Sequence, residues 1–387
     1  MSHAYWLVMP PMFAVLKPAF GLTGDLATTK IAAIYSLFAL STFVFQTPVG
    51  FIVDRFGARS LLIIGLTIEA TAIGLIGVST EYWHLMVLAI FGGIGHTVYH
   101  PADYSILSTK VSEARMGRAF SIHSATGYLG FVISPIFMTE ITALWHWRAA
   151  FILMGVLGLL VVLLLVTQSD ALRDEGPIPI VKKRASTPAA ETMSTRDGLR
   201  LLMTLPILMC FLYFVLHQMG GGGVRGFLAV ALNDLFGTSI TDAGRGLAAF
   251  TAGSVLGILC GGWIADKFGA RTLTASLTLL PSAFIVAILG WINLSLFELI
   301  VLLALAGFLM GSLIPSRDIL LRSITPPGSM GKVMGFASTG SNLGGFIIPV
   351  LLGLVMDKVG AQWIFAISAF FIAAAFLTFI TARRKYG

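Results

Sequence analysis

Four side chains in one apolar stretch, His96, Tyr99, His100 and Asp103, stand at i, i+3, i+4 and i+7, so a helix places them on one face. Imidazole titrates near neutrality, and a carboxylate beside two of them makes a row of groups able to take up a proton and pass it on. Counting 1.5 Å per residue from about Leu85 puts His96 roughly 17 Å into the stretch. Ionisable groups at that depth of a bilayer are expensive and normally face a cavity. His96 or His100 is therefore expected to gain a proton as a solute binds and lose it on the other side. The competing role is hydrogen bonding between helices. The pair also spells His-x-x-x-His, the spacing of two metal ligands on adjacent turns. The other histidines, His3, His84, His123, His146 and His217, form no second such box. No metal and no cofactor is expected.

More polar groups punctuate the apolar runs. His217 and Gln218 precede Gly220, Gly221, Gly222 and Gly223, and Arg225 follows. Each glycine costs roughly 1 kcal/mol relative to alanine in a helix. The run predicts a break that frees backbone amides for a ligand, or else a helix end with Arg225 reaching the surface. His123, Ser124 and Tyr128, with Ser338 and Asn342, can complete a polar lining or simply bind helix to helix. Asp103 and Arg317, 214 residues apart, are candidates for a gate of opposite charges; the competing arrangement is local, with Asp318 and Arg322 as i, i+4 neighbours and Arg317 facing headgroups. Glu69 has no obvious partner in the sequence.

The elements that must hold these groups are membrane helices. The chain has 387 residues, 57% hydrophobic and 11% charged, with a mean hydropathy of +0.90; a soluble domain carries about 25% charged residues. A span needs roughly 20 apolar residues. Twelve are expected, near 4–20, 28–53, 60–78, 84–108, 118–140, 147–168, 199–222, 241–265, 272–293, 296–322, 331–356 and 360–382. The net charge of +7 does not imply nucleic acid, because it sorts by side. Of the 25 Lys and Arg, Lys17, Lys30, Arg148, Arg225, Arg245 and Lys358 fall on one side of this map, Arg317 falls within a helix, and the remainder fall on the other side. Positive residues stay cytoplasmic, so both termini are expected there, in a multi-pass protein of the cytoplasmic membrane. Cys210 and Cys260 lie in apolar stretches and imply no disulfide framework. Met1–Phe20 lacks the basic start of a cleaved signal peptide.

The chain repeats itself. Gly50, Asp54, Arg55, Gly57 and Arg59 return as Gly262, Asp266, Lys267, Gly269 and Arg271 at an offset of 212. Gly117-Arg118 returns as Gly331-Lys332 at an offset of 214, Leu129-Gly130, Pro135 and Pro101 return at the same offset, and Trp147 at 216. A duplicated six-helix unit follows, in two bundles, 1–168 and 198–387, joined by a polar cytoplasmic linker at 169–197. An even number of helices per half sets both halves in the same orientation, related by an axis along the membrane normal. In the repeated turn, Gly50 and Gly262 are expected to let helices approach, and Gly57 and Gly269 to supply a backbone that only glycine adopts easily.

The doubled Gly-x-x-x-Asp-Arg-x-Gly-x-Arg turn, between the second and third helices and again between the eighth and ninth, resembles that of the major facilitator superfamily, over essentially the whole chain. Ser2-His3, Met9-Pro10-Pro11, Leu16-Lys17, Phe20-Gly21-Leu22 and Gly95-His96 with Tyr99-His100-Pro101 resemble its fosmidomycin-resistance-like branch. The fifth helix departs from the drug-antiporter pattern, reading Ser134-Pro135-Ile136-Phe137 where that pattern has Gly-Pro and paired glycines. The resemblance implies an all-α fold of twelve transmembrane helices in two pseudo-symmetric bundles. It implies that Asp54, Arg55, Arg59, Asp266, Lys267 and Arg271 help latch the cytoplasmic side. It also implies that helices 1, 4, 7 and 10 line a central cavity, with the third helix outside it and Glu69 there a buried glutamate, protonated or not, rather than a coupling site.

Three functions compete. A secondary transporter coupled to protons fits the duplicated bundles, and no phosphate-binding Gly-x-x-x-x-Gly-Lys-[Ser/Thr] segment points to ATP. Candidate lining groups His96, His100, His123, His217, Arg225 and Arg317 outnumber Asp103, which favours a small organic anion such as a carboxylate or phosphonate. Import and antiport export of a drug or metabolite would use the same residues. A membrane enzyme built on His96, His100 and Asp103 is opposed by the single histidine box. A solute sensor is opposed by the lack of an output tail after Arg383-Arg384-Lys385. The expected partners are the solute, protons and the bilayer, with the chain acting as a monomer.

Overall fold

Backbone that crosses a bilayer must satisfy its own hydrogen bonds, and helices do so residue by residue. The computed structural model describes residues 1–110, 116–168, 200–268, 272–325 and 330–384, and its ordered elements among these residues are helical. The chain divides into two units, Met1–Arg184 and Ala185–Gly387. The linker expected at 169–197 lies outside the described residues.

Unit 1 contains α1 (Ser2–Trp6), a short 3-10 turn (Pro10–Met12), α2 (Phe13–Ala19), α3 (Ala27–Phe56), α4 (Ala58–Ile76), α5 (Tyr82–His96), α6 (Tyr99–Lys110), α7 (Met116–Leu144) and α8 (Trp147–Thr167). Unit 2 contains α9 (Leu205–Phe236), α10 (Ile240–Phe268), α11 (Thr272–Ile288), α12 (Leu296–Ser312), α13 (Ile314–Ser323), α14 (Met330–Lys358) and α15 (Gln362–Arg384). Ten described spans are long and apolar enough to cross a membrane, and Leu277–Ile288 is a shorter eleventh. With the broken first segment these make the twelve of the all-α membrane fold. Lipid-facing surface is plain on α8, where Leu157, Leu160, Leu163 and Leu164 are exposed in a span of mean hydropathy 3.1.

Three segments expected to be single helices are interrupted, and proline is the reason each time. Pro10 and Pro11 divide the first into α1 and α2. Pro101 has no N–H to give Thr97, and its ring crowds the carbonyl four residues back. The fourth segment accordingly stops at His96, and the helix resumes with Ala102 N–H donating to Val98 O at 2.9 Å. Pro315, the repeat counterpart, divides the tenth segment in the same way, with Arg317 N–H donating to Leu313 O at 3.0 Å. The seventh segment runs later and longer than expected, as α9, without interruption.

Packing repeats with the sequence. In unit 1, α1 lies on α7, α3 on α5, and α4 on α5 and α8. In unit 2, α9 lies on α14, α10 on α12, and α11 on α12 and α15. Small residues permit the closest of these contacts. A Cβ on Gly253, Gly257 or Gly261 of α10 would lie 2.0, 2.1 or 2.3 Å from the carbonyl oxygens of Ala304, Phe308 and Ser312. Gly307 and Gly311 stand equally close to Phe250 and Ser254 from the other side. Spaced four apart, these residues let two backbones touch.

Gly57, between α3 and α4, has φ 89° and ψ 139°, a conformation that L side chains rarely adopt, so the turn does need glycine there. Gly269 and Arg271 lie outside the described residues. Gly262 does not serve a close approach: nothing stands within 4 Å of where its Cβ would be. The contact expected of it is made one residue earlier, by Gly261.

Candidate functional site

In unit 1 the polar groups gather around a residue that seemed solitary. Glu69, on α4, is fully buried, and its carboxylate takes two hydrogen bonds. His96 Nδ1 lies 2.9 Å from Oε1, and the Tyr99 hydroxyl donates to Oε2 at 2.6 Å. Glycine makes this reach possible: a Cβ on Gly65 would lie 2.7 Å from Gly95 O, and one on Gly95 would lie 2.6 Å from Gly65 O, so α4 and α5 nearly touch beside both groups. Glu69 is thus buried, as expected, and the third helix brings it against His96 and Tyr99. The signal was a glycine four residues before Glu69 and another just before His96; only the packing joins them.

The His96 ring is enclosed by three aromatic rings, with centroids 5.1 Å away for Trp6, 5.3 Å for Phe38 and 5.2 Å for Tyr99. A small apolar cavity lined by Tyr5, Trp6, Met9, Tyr35, Phe38 and Ala89 adjoins it. Beyond the helix break, His100 faces the His3 ring edge-on at 6.4 Å, and Tyr128 lies 5.8 Å from His3. His3 owes its place to Gly127 and Gly130 on α7, over which α1 packs. Asp103 Oδ2 lies 3.6 Å from His123 Nε2, both side chains partly exposed. The expected stripe is therefore bent at Thr97, yet its members remain neighbours, joined by Glu69 and His3, which sequence reasoning had not assigned.

Unit 2 holds a cationic group. On α9 the Tyr213 and His217 rings stack at 5.4 Å, and Tyr213 Oη and His217 Nε2 are buried with no hydrogen-bond partner. One helical stretch further, Arg225 Nη2 donates to Gln218 Oε1 at 3.1 Å. Arg317 lies over the Phe214 ring at 4.2 Å and pairs with Asp318 at 2.7 Å, a partner that the sequence pattern gives to Arg322. His217 stands within electrostatic reach of both arginines.

The expected break at Gly220–Gly223 does not exist. All four glycines are buried inside continuous helix, where their missing side chains admit neighbours. Cβ atoms there would meet Ile372 and Ser368 at Gly220, Met310 at Gly221, Gln218 at Gly222, and Ser368 and Leu352 at Gly223. The helical cost of glycine is offset by packing against α12, α14 and α15. Asn342 is half-buried on α14, between Gly340 and Gly344, which press on Phe211 and Val215 of α9. Two residues from each, it lies about 200° round the helix, away from α9. Of the remaining candidates, Arg59 buries its Nε without a hydrogen-bond partner. The side chains of Asp54, Arg55, Asp266 and Lys267 lie outside those described. Among the described residues no three of His, Cys, Asp and Glu gather as a metal site.

Comparison with known proteins agrees with this architecture. The pattern of the Major Facilitator Superfamily matches residues 2–223 and 210–386. The chain is 24% identical to the fosmidomycin resistance protein of Escherichia coli K12, over 100% of this chain and 92% of that one. It is 24% identical to the multidrug resistance protein MdtH of Salmonella newport, over 82% and 72%. A bacterial homolog of the human lysosomal transporter Spinster, in an inward-facing and occupied conformation, superimposes with a TM-score of 0.77 at 16% identity, over 100% of this chain and 95% of that one.

Proposed function

The chain belongs to the Major Facilitator Superfamily, a family of multi-pass membrane transporters rather than enzymes, and we propose that it moves a small organic anion by proton-coupled alternating access. In this reading the bundles 1–168 and 198–387 rock about a shared site, with both termini cytoplasmic and one chain sufficient. The observation that carries the anion is on α9, where His217 presents a buried ring nitrogen with no hydrogen-bond partner on the same helix as Gln218 and Arg225. A carboxylate or phosphonate would give the His217 ring nitrogen a hydrogen-bond acceptor, with Arg225 one helical stretch away to favour its charge. Unit 1, with His96, Tyr99, His100, His123, Tyr128 and Asp103, handles the proton, and Asp103 and Arg317 close the inner gate as the bundles approach. Export by antiport is the second reading, favoured by two relatives named for resistance.

A thermal-shift screen of purified protein against carboxylates, phosphonates, amines and drugs, fosmidomycin included, tests this, since a bound ligand stabilises by mass action. Anions should raise the melting temperature, and Arg225→Gln should abolish the rise. Stabilisation by amines alone would refute the anion reading. In proteoliposomes the stabilising anion should then accumulate against its gradient only when a pH gradient is imposed.

A further inference from the structure

We propose that Glu69, His96 and Tyr99 form a proton-binding centre, in which the Glu69–His96 pair carries the exchangeable proton and its occupancy sets the angle of the helix break between α5 and α6. The first half deepens the proton coupling proposed above and rests on that reading only for its use in transport.

The geometry fixes where the proton goes. Tyr99 O–H donates to Glu69 Oε2, so that oxygen accepts, and Nδ1–H of His96 donates to Oε1. A further proton from water adds to His96 Nε2, forming one N–H bond and taking the pair from a net charge of −1 to zero; release is the reverse step. An uncompensated charge fully out of water is costly, while a paired one is far less so. Helix-binding hydrogen bonds alone would need neither the imidazole nor its aromatic surround.

Position gives loading a mechanical meaning. His96 is the last residue of α5 and Tyr99 the first of α6, and one carboxylate holds both across the Thr97–Val98 break. A change of charge on His96 alters one of the two ties and leaves the other. Other titratable groups face the centre: the Met1 amino group, His3 and Tyr5 from α1, His100 and Asp103 from α6, and His123 from α7 near His100. The α3 ring against it, Phe38, does not titrate.

Trp6 is a built-in reporter, since an imidazolium quenches an adjacent indole. Emission of the wild-type protein minus that of Trp6→Phe isolates it from the other tryptophans. This difference should fall in one step on acidification from about pH 8 to about pH 5, the span over which imidazole changes charge. His96→Gln and Glu69→Gln, each checked for monodispersity, should each remove the step. A flat wild-type difference overturns the proposal without reference to any variant. A step unchanged in His96→Gln also overturns it, and assigns the signal to His3 or His100. No solute is needed, so a titrating centre in a protein with no proton-driven flux would refute the transport reading and leave this one standing.

Discussion

Alanine in place of Gly220 and of Gly221, one at a time, separates packing from hinging on α9. Either substitution gains about 1 kcal/mol of helix preference. At Gly220 the new methyl would lie 2.5 Å from Ile372 Cγ1, 2.9 Å from Ile372 N and 3.0 Å from Ser368 O, so two of its three nearest neighbours are backbone of α15 and cannot turn aside. Overpacking of that kind costs about 1–3 kcal/mol, leaving Gly220→Ala destabilised by up to about 2 kcal/mol. At Gly221 the nearest atoms are the Met310 methyl at 2.6 Å and Arg225 Nη1 at 3.2 Å, both ends of flexible side chains. Met310 can rotate at little cost, so Gly221→Ala should be neutral or gain up to about 1 kcal/mol. Denaturant unfolding in detergent, followed by fluorescence, should rank Gly221→Ala above wild type or level with it, and Gly220→Ala below. If Gly220→Ala proves as stable as Gly221→Ala, helix preference dominates and the wall built by α15 is not there.

Tyr99→Phe removes a hydrogen bond of 2.6 Å to a buried carboxylate and should lower stability by about 1.5–3 kcal/mol in the same assay; no measurable loss would mean that Glu69 does not carry charge in the resting protein. Asp103→Arg and Arg317→Asp should each impair flux, and the double exchange should restore it if the two meet when the inner side closes. A double variant no better than either single change would return Arg317 to its local partner, Asp318.

What could be read from the residues depended on whether the cause was local. A proline withholds its hydrogen bond wherever it stands, so the positions of Pro101 and Pro315 carried the interruptions of the fourth and tenth segments, although periodicity alone suggested straight helices. The twelve spans and the doubled turn were legible for the same reason, since length, polarity and repetition are properties of the chain itself. Gly220 to Gly223 were misread because a glycine that loosens backbone and a glycine that admits a neighbour are the same letter; α12, α14 and α15 decide which. Glu69 was invisible as a functional group because its partners stand on another helix, brought near by Gly65 and Gly95. His3 was brought to Tyr128 and His100 by Gly127 and Gly130 in the same way.

The prolines at 101 and 315 leave each half with a short helix, α6 or α13, whose first turn lacks the hydrogen bond that the proline nitrogen cannot donate. Swinging α6 or α13 there has one backbone bond fewer to break, because the proline never makes it. Asp103 and Arg317 ride on these two stubs, so either charge can be presented or withdrawn while the long membrane-spanning body of its own segment stays still.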